Sequence, residues 1–183
     1  MSGLTTITET RLSDEAELTG FLDSLLTVLE QEGEVYEELQ AILIEKQNVL
    51  ARPTLERIFD NNGKMETCVL KGKMLEEVRS NIVKKIAQHL QREVRDINIT
   101  TLISQADEKR AAALKARQKT LVFLIESIKE ADGKNRQLLN YSLDYVKNSV
   151  NFINNLLSTG ADYANSGRLK IKNRNGKILN RKG

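Results

Sequence analysis

The chain has 183 residues and a formal net charge of +3, with one Pro, one Cys and no Trp. Aromatic residues make up 4% and charged residues 29%, which argues against a rounded core, because such a core draws much of its buried area from aromatic side chains. Leu, Ile and Val spread among Glu, Lys, Arg and Gln are instead typical of long helices packed side by side.

The first predicted helix runs from Asp14 to just before Pro53. Asp14 and Glu17 have nearly the spacing of a capping box, and a proline pushes the residue ahead of it out of the helical region. One apolar stripe advances by about three and four residues: Leu18, Leu22, Leu25, Leu29, Tyr36, Leu39, Ile44 and Leu50. A second stripe advances by seven: Phe21, Val28, Val35, Ile42 and Val49. A face this wide favours a bundle over a two-stranded coiled coil.

The second predicted segment is interrupted. Residues 54–59 predict a short helical turn with three apolar side chains facing inward: Leu55, Ile58 and Phe59. The Asp-Asn-Asn-Gly run at 60–63 predicts a break. Helical periodicity returns over residues 74–97, and the β-branched residues within 98–101 predict a bend. The sequence leaves the geometry of region 52–72 open.

The third predicted helix spans residues 107–158, and its apolar seam is interrupted over residues 130–136. Gly133 lies in this interruption and costs about 1 kcal/mol in a helix interior, so we expect a kink or a change of contact partner there. Gly160 ends the helix. The complete prediction is an all-α, elongated antiparallel bundle or coiled coil of about three long helices, formed by residues 1–158.

The C-terminal tail, residues 159–183, differs in charge from the rest of the chain. It holds seven Lys or Arg residues against Asp162 alone, a charge of +6, so the other residues carry −3. Its apolar content is too low for it to fold alone. We therefore expect a flexible, basic tail that binds a partner.

Catalytic and metal-binding residue types are scarce. His89 is the only histidine, so no His-based catalytic pair or His-rich metal site can form, and we expect it at the surface of a helix or its boundary. For Cys68 we expect packing rather than nucleophilic chemistry. The sequence indicates no cofactor, metal or small-molecule substrate, and we expect no enzymatic activity.

The sequence shows neither the pattern of a secretory signal nor that of a membrane-spanning segment. Residues 1–15 lack the basic and apolar regions of a secretory signal, and the longest apolar run, 121–125, is far shorter than the ~20 residues that cross a membrane. We therefore expect a cytoplasmic protein with no membrane insertion.

Several segments carry a family resemblance. The run NRQLLNYSLDYVKNSVNFINNLL at 135–157 is followed by DYANSG at 162–167 and GKILNRKG at 176–183. The stretch ISQADEKRAAALKARQKTL at 103–121 precedes them. Together these segments resemble the FlgN family of flagellar secretion chaperones, which shares an Asn-Arg pair, two leucines, a Ser-Leu pair, a Tyr and Gly motif and a short final apolar segment.

The resemblance implies a cytoplasmic type III secretion chaperone. Such chaperones bind hook–filament junction (hook-associated) proteins, prevent their premature assembly and deliver them to the flagellar export gate. A client's terminal amphipathic helix would suit a helix-in-groove contact. The predicted client-binding residues are an apolar stripe and three aromatic anchors beside it: Leu139, Leu143, Val146, Val150, Ile153 and Leu157, with Tyr141, Tyr145 and Phe152. For Tyr163 the resemblance suggests docking to the cytoplasmic domain of the export gate.

Other interpretations are open. A leucine stripe at helical spacing ordinarily belongs to an intramolecular core, and Tyr163 could pack on its own bundle. A structural coiled-coil scaffold would need an unbroken heptad pattern, which Glu32, Lys46, Asp132 and Asn135 interrupt. A nucleic-acid-binding tail would need aromatic platforms, and Tyr163 is the tail's one aromatic residue. No recognisable pattern in the sequence identifies the client, the stoichiometry or the oligomeric state. None indicates whether the tail masks the groove.

Overall fold

A computed structural model describes residues 3–158 and the strand residues 162–163 and 169–170, with side chains described over residues 15–155. This part of the chain contains four α-helices: α1 (Gly3–Ala51), α2 (Leu55–His89), α3 (Ile99–Gln105) and α4 (Glu108–Ser158). A 3-10 turn, Val94–Asp96, joins α2 to α3. The predicted helical fold class is confirmed, and three of these helices are long, with 49, 35 and 51 residues.

The first half of α2 corrects the sequence prediction. The Asp-Asn-Asn-Gly run at 60–63 is helical, because contacts with α1 outweigh its local preference for a turn. Asn61 is 1% exposed, and its Nδ2 donates to the carbonyl oxygen of Ile42 at 3.2 Å. Thr54 caps the helix by accepting from the N–H of Arg57. The predicted inward residues Leu55 and Phe59 are 75% and 71% exposed.

Other helix ends also differ from the prediction. α1 begins at Gly3 rather than at Asp14. α2 ends at His89, where the N–H of Arg92 donates to Ala87 and that of Gln91 to Gln88. This pattern places Gln91 in the left-handed region, with φ 52°. The predicted bend at residues 98–101 is the start of α3.

Ion pairs between the long helices show their relative directions. Lys64 and Lys71 of α2 pair with Glu45 and Glu38 of α1, so the partner positions run in opposite directions along the two helices. Arg110 of α4 forms a two-armed pair with Asp23 of α1, with both N–O distances 2.7 Å. Arg117 of α4 then pairs with Glu30. α2 is therefore antiparallel to α1, and α4 runs parallel to α1.

The hydrophobic core lies where α1, α2, α3 and α4 meet. Its buried members come from all four helices: Leu22, Leu25, Leu29, Ile86, Leu102 and Leu114. Ile44, which was predicted in the first stripe of α1, is exposed, and its neighbour Leu43 is buried instead. Leu43 continues the buried stripe because a step of three leads from Tyr36 to Leu39, and a step of four leads from Leu39 to residue 43.

Two of the polar residues that were predicted to interrupt the apolar seams are buried and hydrogen-bonded in the structure. Arg79 Nε donates to Glu32 Oε1 at 2.8 Å, and Glu32 is 4% exposed. Asn135 is buried, and its Nδ2 donates to the carbonyl oxygen of Leu43 at 2.9 Å. These polar side chains belong to the interior of the bundle and do not break its helices.

Contacts within the chain divide it into two compact units, Met1–Asn135 and Arg136–Gly183. α4 continues as a helix through Gly133, and the predicted kink at this residue stays a prediction. The predicted change of contacts does occur nearby: Asn135 is buried, whereas the described side chains of residues 136–155 are not. In the second unit β1 (Asp162–Tyr163) pairs antiparallel with β2 (Leu169–Lys170).

The predicted boundary between a bundle at 1–158 and a tail at 159–183 rests on composition and charge. It stays a prediction, because most of the tail lies outside the described residues.

Candidate protein-binding surface

The predicted client-binding residues lie on one part of α4, residues 136–155, which we call the distal segment. Eight of the nine have described side chains, and these are between 40% and 75% exposed: Leu139, Tyr141, Leu143, Tyr145, Val146, Val150, Phe152 and Ile153. The side chain of Leu157 lies outside the described residues. The distal segment thus presents apolar surface, as a docking surface must, while its role stays a prediction.

The apolar side chains form two adjacent seams along the distal segment. The aliphatic seam advances by four and three residues through Leu139, Leu143, Val146, Val150 and Ile153. The aromatic seam has the same steps one residue earlier, through Leu138, Ser142, Tyr145, Ser149 and Phe152. At about 100° per residue, the two seams and Tyr141 together cover an arc of about 200° of the helix.

Sequence reasoning found the aliphatic seam and treated the aromatic residues as separate anchors. It missed Leu138, Ser142 and Ser149, which join these anchors into a second seam. The signal was the repeated step of four and three, hidden because two of the five positions are serines.

Polar residues occupy the rest of the circumference. Asparagines predominate there: Asn140, Asn148, Asn151, Asn154 and Asn155. Lys147 borders the aliphatic seam, and Asp144 lies further round the helix toward the aromatic side. Lys147 Nζ lies 3.8 Å from Asp144 Oδ1, and both side chains are strongly exposed. Because this ion pair is long and exposed to water, it contributes little energy, and both side chains can pair with other groups.

Tyr163, the predicted gate-docking residue, lies in strand β1, where its backbone pairs with that of Leu169. Its side chain lies outside the described residues, so the docking role stays a prediction.

The first unit contains a cavity of about 370 Å³ lined by residues of α1, α2, α3 and α4 and by the residues that lead into α3. Most of its wall is aliphatic, and its polar groups include Glu32, Arg79 and Tyr36. Burial, and next the Glu32 carboxylate, raise the pKa of Tyr36 above its usual value. The cavity therefore adjoins the Glu32–Arg79 ion pair, and part of its wall, at Val122 and Ile125, is exposed.

His89 and Cys68 have surroundings typical of structural residues. The His89 ring is half-buried and meets Phe21 edge to face at 6.2 Å between centroids. Cys68 is buried, its Sγ donates to the carbonyl oxygen of Val35 at 3.3 Å, and burial raises the pKa of its thiol. A raised thiol pKa disfavours the nucleophilic thiolate. Among the described residues no group of three or more His, Cys, Asp or Glu side chains could hold a metal ion.

The fold and this surface together define a class: an α-helical bundle protein with an exposed, two-seamed apolar helix. The chain belongs to the FlgN protein family, because the family model matches residues 21–171. Comparison with curated proteins and with solved structures gives no match. Across the described part of the chain, none of the helices has the length and apolar character needed to cross a membrane.

Proposed function

We propose that this FlgN-family protein is a cytoplasmic type III secretion chaperone. It binds hook–filament junction (hook-associated) proteins, prevents their premature assembly and delivers them to the cytoplasmic domain of the flagellar export gate. The observation that carries the proposal is the contiguous apolar surface of the distal segment, of a kind that marks protein-binding sites when left exposed. Family membership supports the role in flagellar export.

The chemistry of the proposed role is noncovalent burial. Before assembly, a junction protein's terminal amphipathic helix exposes an apolar face. Laying that face on the distal segment removes both apolar surfaces from water and so blocks assembly of the client with itself. Cys68 is buried and His89 is packed on Phe21, which supports a binding role and not a catalytic one.

A binding titration with a purified hook–filament junction protein tests the proposal. Val146→Glu places a charge in the middle of the aliphatic seam and should weaken binding by at least about thirtyfold, the loss expected at an interface hot spot. Asn151→Glu places the same charge on the polar arc and should leave affinity unchanged. Helicity measured by circular dichroism should be equal in both variants. If the junction protein does not bind the unmodified chain, the proposal is wrong.

Docking to the export gate is tested separately. Tyr163→Ala should weaken binding to the purified cytoplasmic domain of the gate while leaving client affinity and helicity unchanged. Tyr141→Ala is the matched control, since it removes a tyrosine from the distal segment and should affect the client instead. Loss of helicity in Tyr163→Ala would show that this tyrosine is structural.

Salt dependence separates this proposal from nucleic-acid binding by the basic tail. Client affinity based on apolar contact should change little between 50 and 200 mM salt, concentrations over which phosphate contacts lose affinity by about 10³-fold or more. A steep loss of affinity for single-stranded RNA, with no client binding, would favour the nucleic-acid alternative.

A further inference from the structure

The distal segment repeats a sequence pattern that α1 also carries. In α1, pairs of adjacent apolar residues recur every seven positions: 21–22, 28–29, 35–36, 42–43 and 49–50. The distal segment has the same arrangement at 138–139, 145–146 and 152–153. In both helices the second member of each pair belongs to one seam, and the first member belongs to the adjacent one.

In α1 two helices, α2 and α4, together cover this double seam. α2 covers one side: Cys68 Sγ donates to the Val35 carbonyl, and Asn61 Nδ2 donates to that of Ile42. α4 reaches the neighbouring side, where Asn135 Nδ2 donates to the carbonyl oxygen of Leu43. Val28, Leu29, Ile42 and Leu43 are all buried as a result. A double seam in this protein therefore marks a helix that packs against two others.

The distal segment has the same double seam, and within residues 136–155 its side chains are largely exposed. Both members of its central pair are open, with Tyr145 75% and Val146 56% exposed. One packed helix covers a stripe about 100° wide, which is about half of the apolar arc of the distal segment. One amphipathic helix on either seam would leave the other seam in water.

We infer that the distal segment is bound by two amphipathic helical segments of one partner, one on each seam. This inference rests on the proposed function and specifies how the client is held. The seams differ in shape, so they suit different segments. The aliphatic seam is continuous, whereas the aromatic seam alternates large side chains with Ser142 and Ser149, which leaves space for a partner's bulky side chains.

Charge indicates the chemistry of the segment on the aliphatic seam. Lys147 stands at the outer edge of this seam, in the position where flanking residues of packed helices pair. A second copy of this chain, lying antiparallel and centred on Val146, would bring two Lys147 side chains together, which is unfavourable. A partner helix with Asp or Glu along that flank is complementary instead. The occupant is therefore a client segment with an acidic flank.

Site-specific crosslinking tests the inference with the full chain and a purified hook–filament junction protein. A photoreactive p-benzoylphenylalanine is placed at Val146, at Tyr145 or, as a control, at Asn151, and the crosslinked peptides are identified by mass spectrometry. Positions 145 and 146 should crosslink to two different segments of the client, and position 151 should give no client adduct.

The outcomes separate this inference from the proposed function. Adducts to the same client segment at both positions would overturn the two-helix arrangement while leaving the chaperone role intact. Adducts from Tyr145 to residues 159–183 of this chain, or to a second copy, would also overturn it. If the unmodified chain fails to bind the client, the proposed function itself is wrong.

A charge reversal tests the acidic flank. Lys147→Glu should weaken client binding by up to about fivefold, the range for an exposed ion pair, and high salt should remove the difference. Asn154→Gln at the same edge keeps the charge and should bind normally. Unchanged affinity in Lys147→Glu, with strong loss in Val146→Glu, would refute the acidic flank.

Discussion

Glu32 of α1 and Arg79 of α2 form an ion pair inside the bundle, with Arg79 Nε 2.8 Å from Glu32 Oε1. The two residues are not equally buried, because the Glu32 side chain is 5% exposed and that of Arg79 is 36% exposed. Arg79 can therefore reach water if its partner is lost, whereas the Glu32 carboxylate cannot.

This asymmetry predicts unequal effects of substitution. Arg79→Met leaves a buried carboxylate without its partner and should lower the free energy of unfolding by about 3 kcal/mol. Glu32→Leu leaves an arginine that can turn to solvent and should cost about 1 kcal/mol. Urea unfolding of both variants measures the two values.

The double variant Glu32→Leu with Arg79→Met is the control for this pair. It replaces both charges with apolar groups and should recover most of the stability lost in Arg79→Met. A double variant as unstable as the sum of the two single variants would show that the charges do not interact.

Asn135 and Asn61 are predicted to limit stability. Each side chain is buried and donates to a carbonyl of α1, yet its Oδ1 has no hydrogen-bond partner among the described residues. A buried polar atom without a partner costs about 1–3 kcal/mol. Asn135→Leu and Asn61→Leu should therefore each raise the free energy of unfolding by about 1 kcal/mol, measured by urea titration. Destabilisation instead would mean that the amide oxygen is bonded in solution.

The Asp23–Arg110–Asp107 cluster predicts that the free energy of unfolding decreases at acidic pH. Hydrogen bonds from Arg110 lower the pKa values of both carboxyl groups below the ordinary value of 3.8. Because the folded-state pKa values are the lower ones, the unfolded chain binds protons first as the pH falls. The stabilisation is therefore fully present above about pH 4 and is lost as the pH falls through the folded-state pKa values.

Arg110→Gln tests this cluster. Above pH 4 the variant should be less stable than the unmodified chain, and the difference should narrow as the pH falls below 3.8. Thermal unfolding at several pH values measures the difference, and high salt should shrink it because the pairs are exposed. Lys115→Gln removes a charge from the same helix and is the control. If the difference in stability between the variant and the unmodified chain did not change with pH, the two carboxyl groups would not be stabilised by Arg110.

Gly133 is predicted to tolerate replacement by alanine. It lies inside α4, and a Cβ added there would meet no atom within 4 Å. Gly133→Ala should therefore raise the free energy of unfolding by about 1 kcal/mol, and Gly63→Ala in α2 should behave alike. Thermal melting curves give the comparison. A loss of stability in Gly133→Ala alone would indicate that α4 bends at this glycine in solution.

The sequence predicted α4 well and the start of α2 poorly, for one physical reason. Over residues 107–158 local propensity and the apolar period agree, and the observed helix is Glu108–Ser158. At residues 60–63 they conflict: the local turn signal is strong, but Asn61 is held by a carbonyl of α1 that lies 19 positions earlier. Packing of α2 on α1, of which this hydrogen bond is one part, decided the outcome, and periodicity alone does not contain it.

The candidate surface has the same limit. The steps of Leu139, Leu143 and Val146 resemble those of the buried Leu22, Leu25 and Leu29, so periodicity identifies an apolar seam but not its burial. Whether a seam is buried depends on contacts between residues that are distant in the sequence. That information lies in the packing of the whole bundle.

The ion pairs between α1 and α4 repeat every seven residues on both helices, from Asp23 and Arg110 to Glu30 and Arg117. Sliding α4 by seven residues would place Arg117 opposite Glu37, so the surface charges permit a second alignment. In that alignment Leu114 would take the place of Leu121, another leucine, which already lines the same cavity as Glu32. Neither the charges nor the leucines select one alignment, so the native one depends on the short connection through α3, whose Leu102 packs in the same core as Leu114.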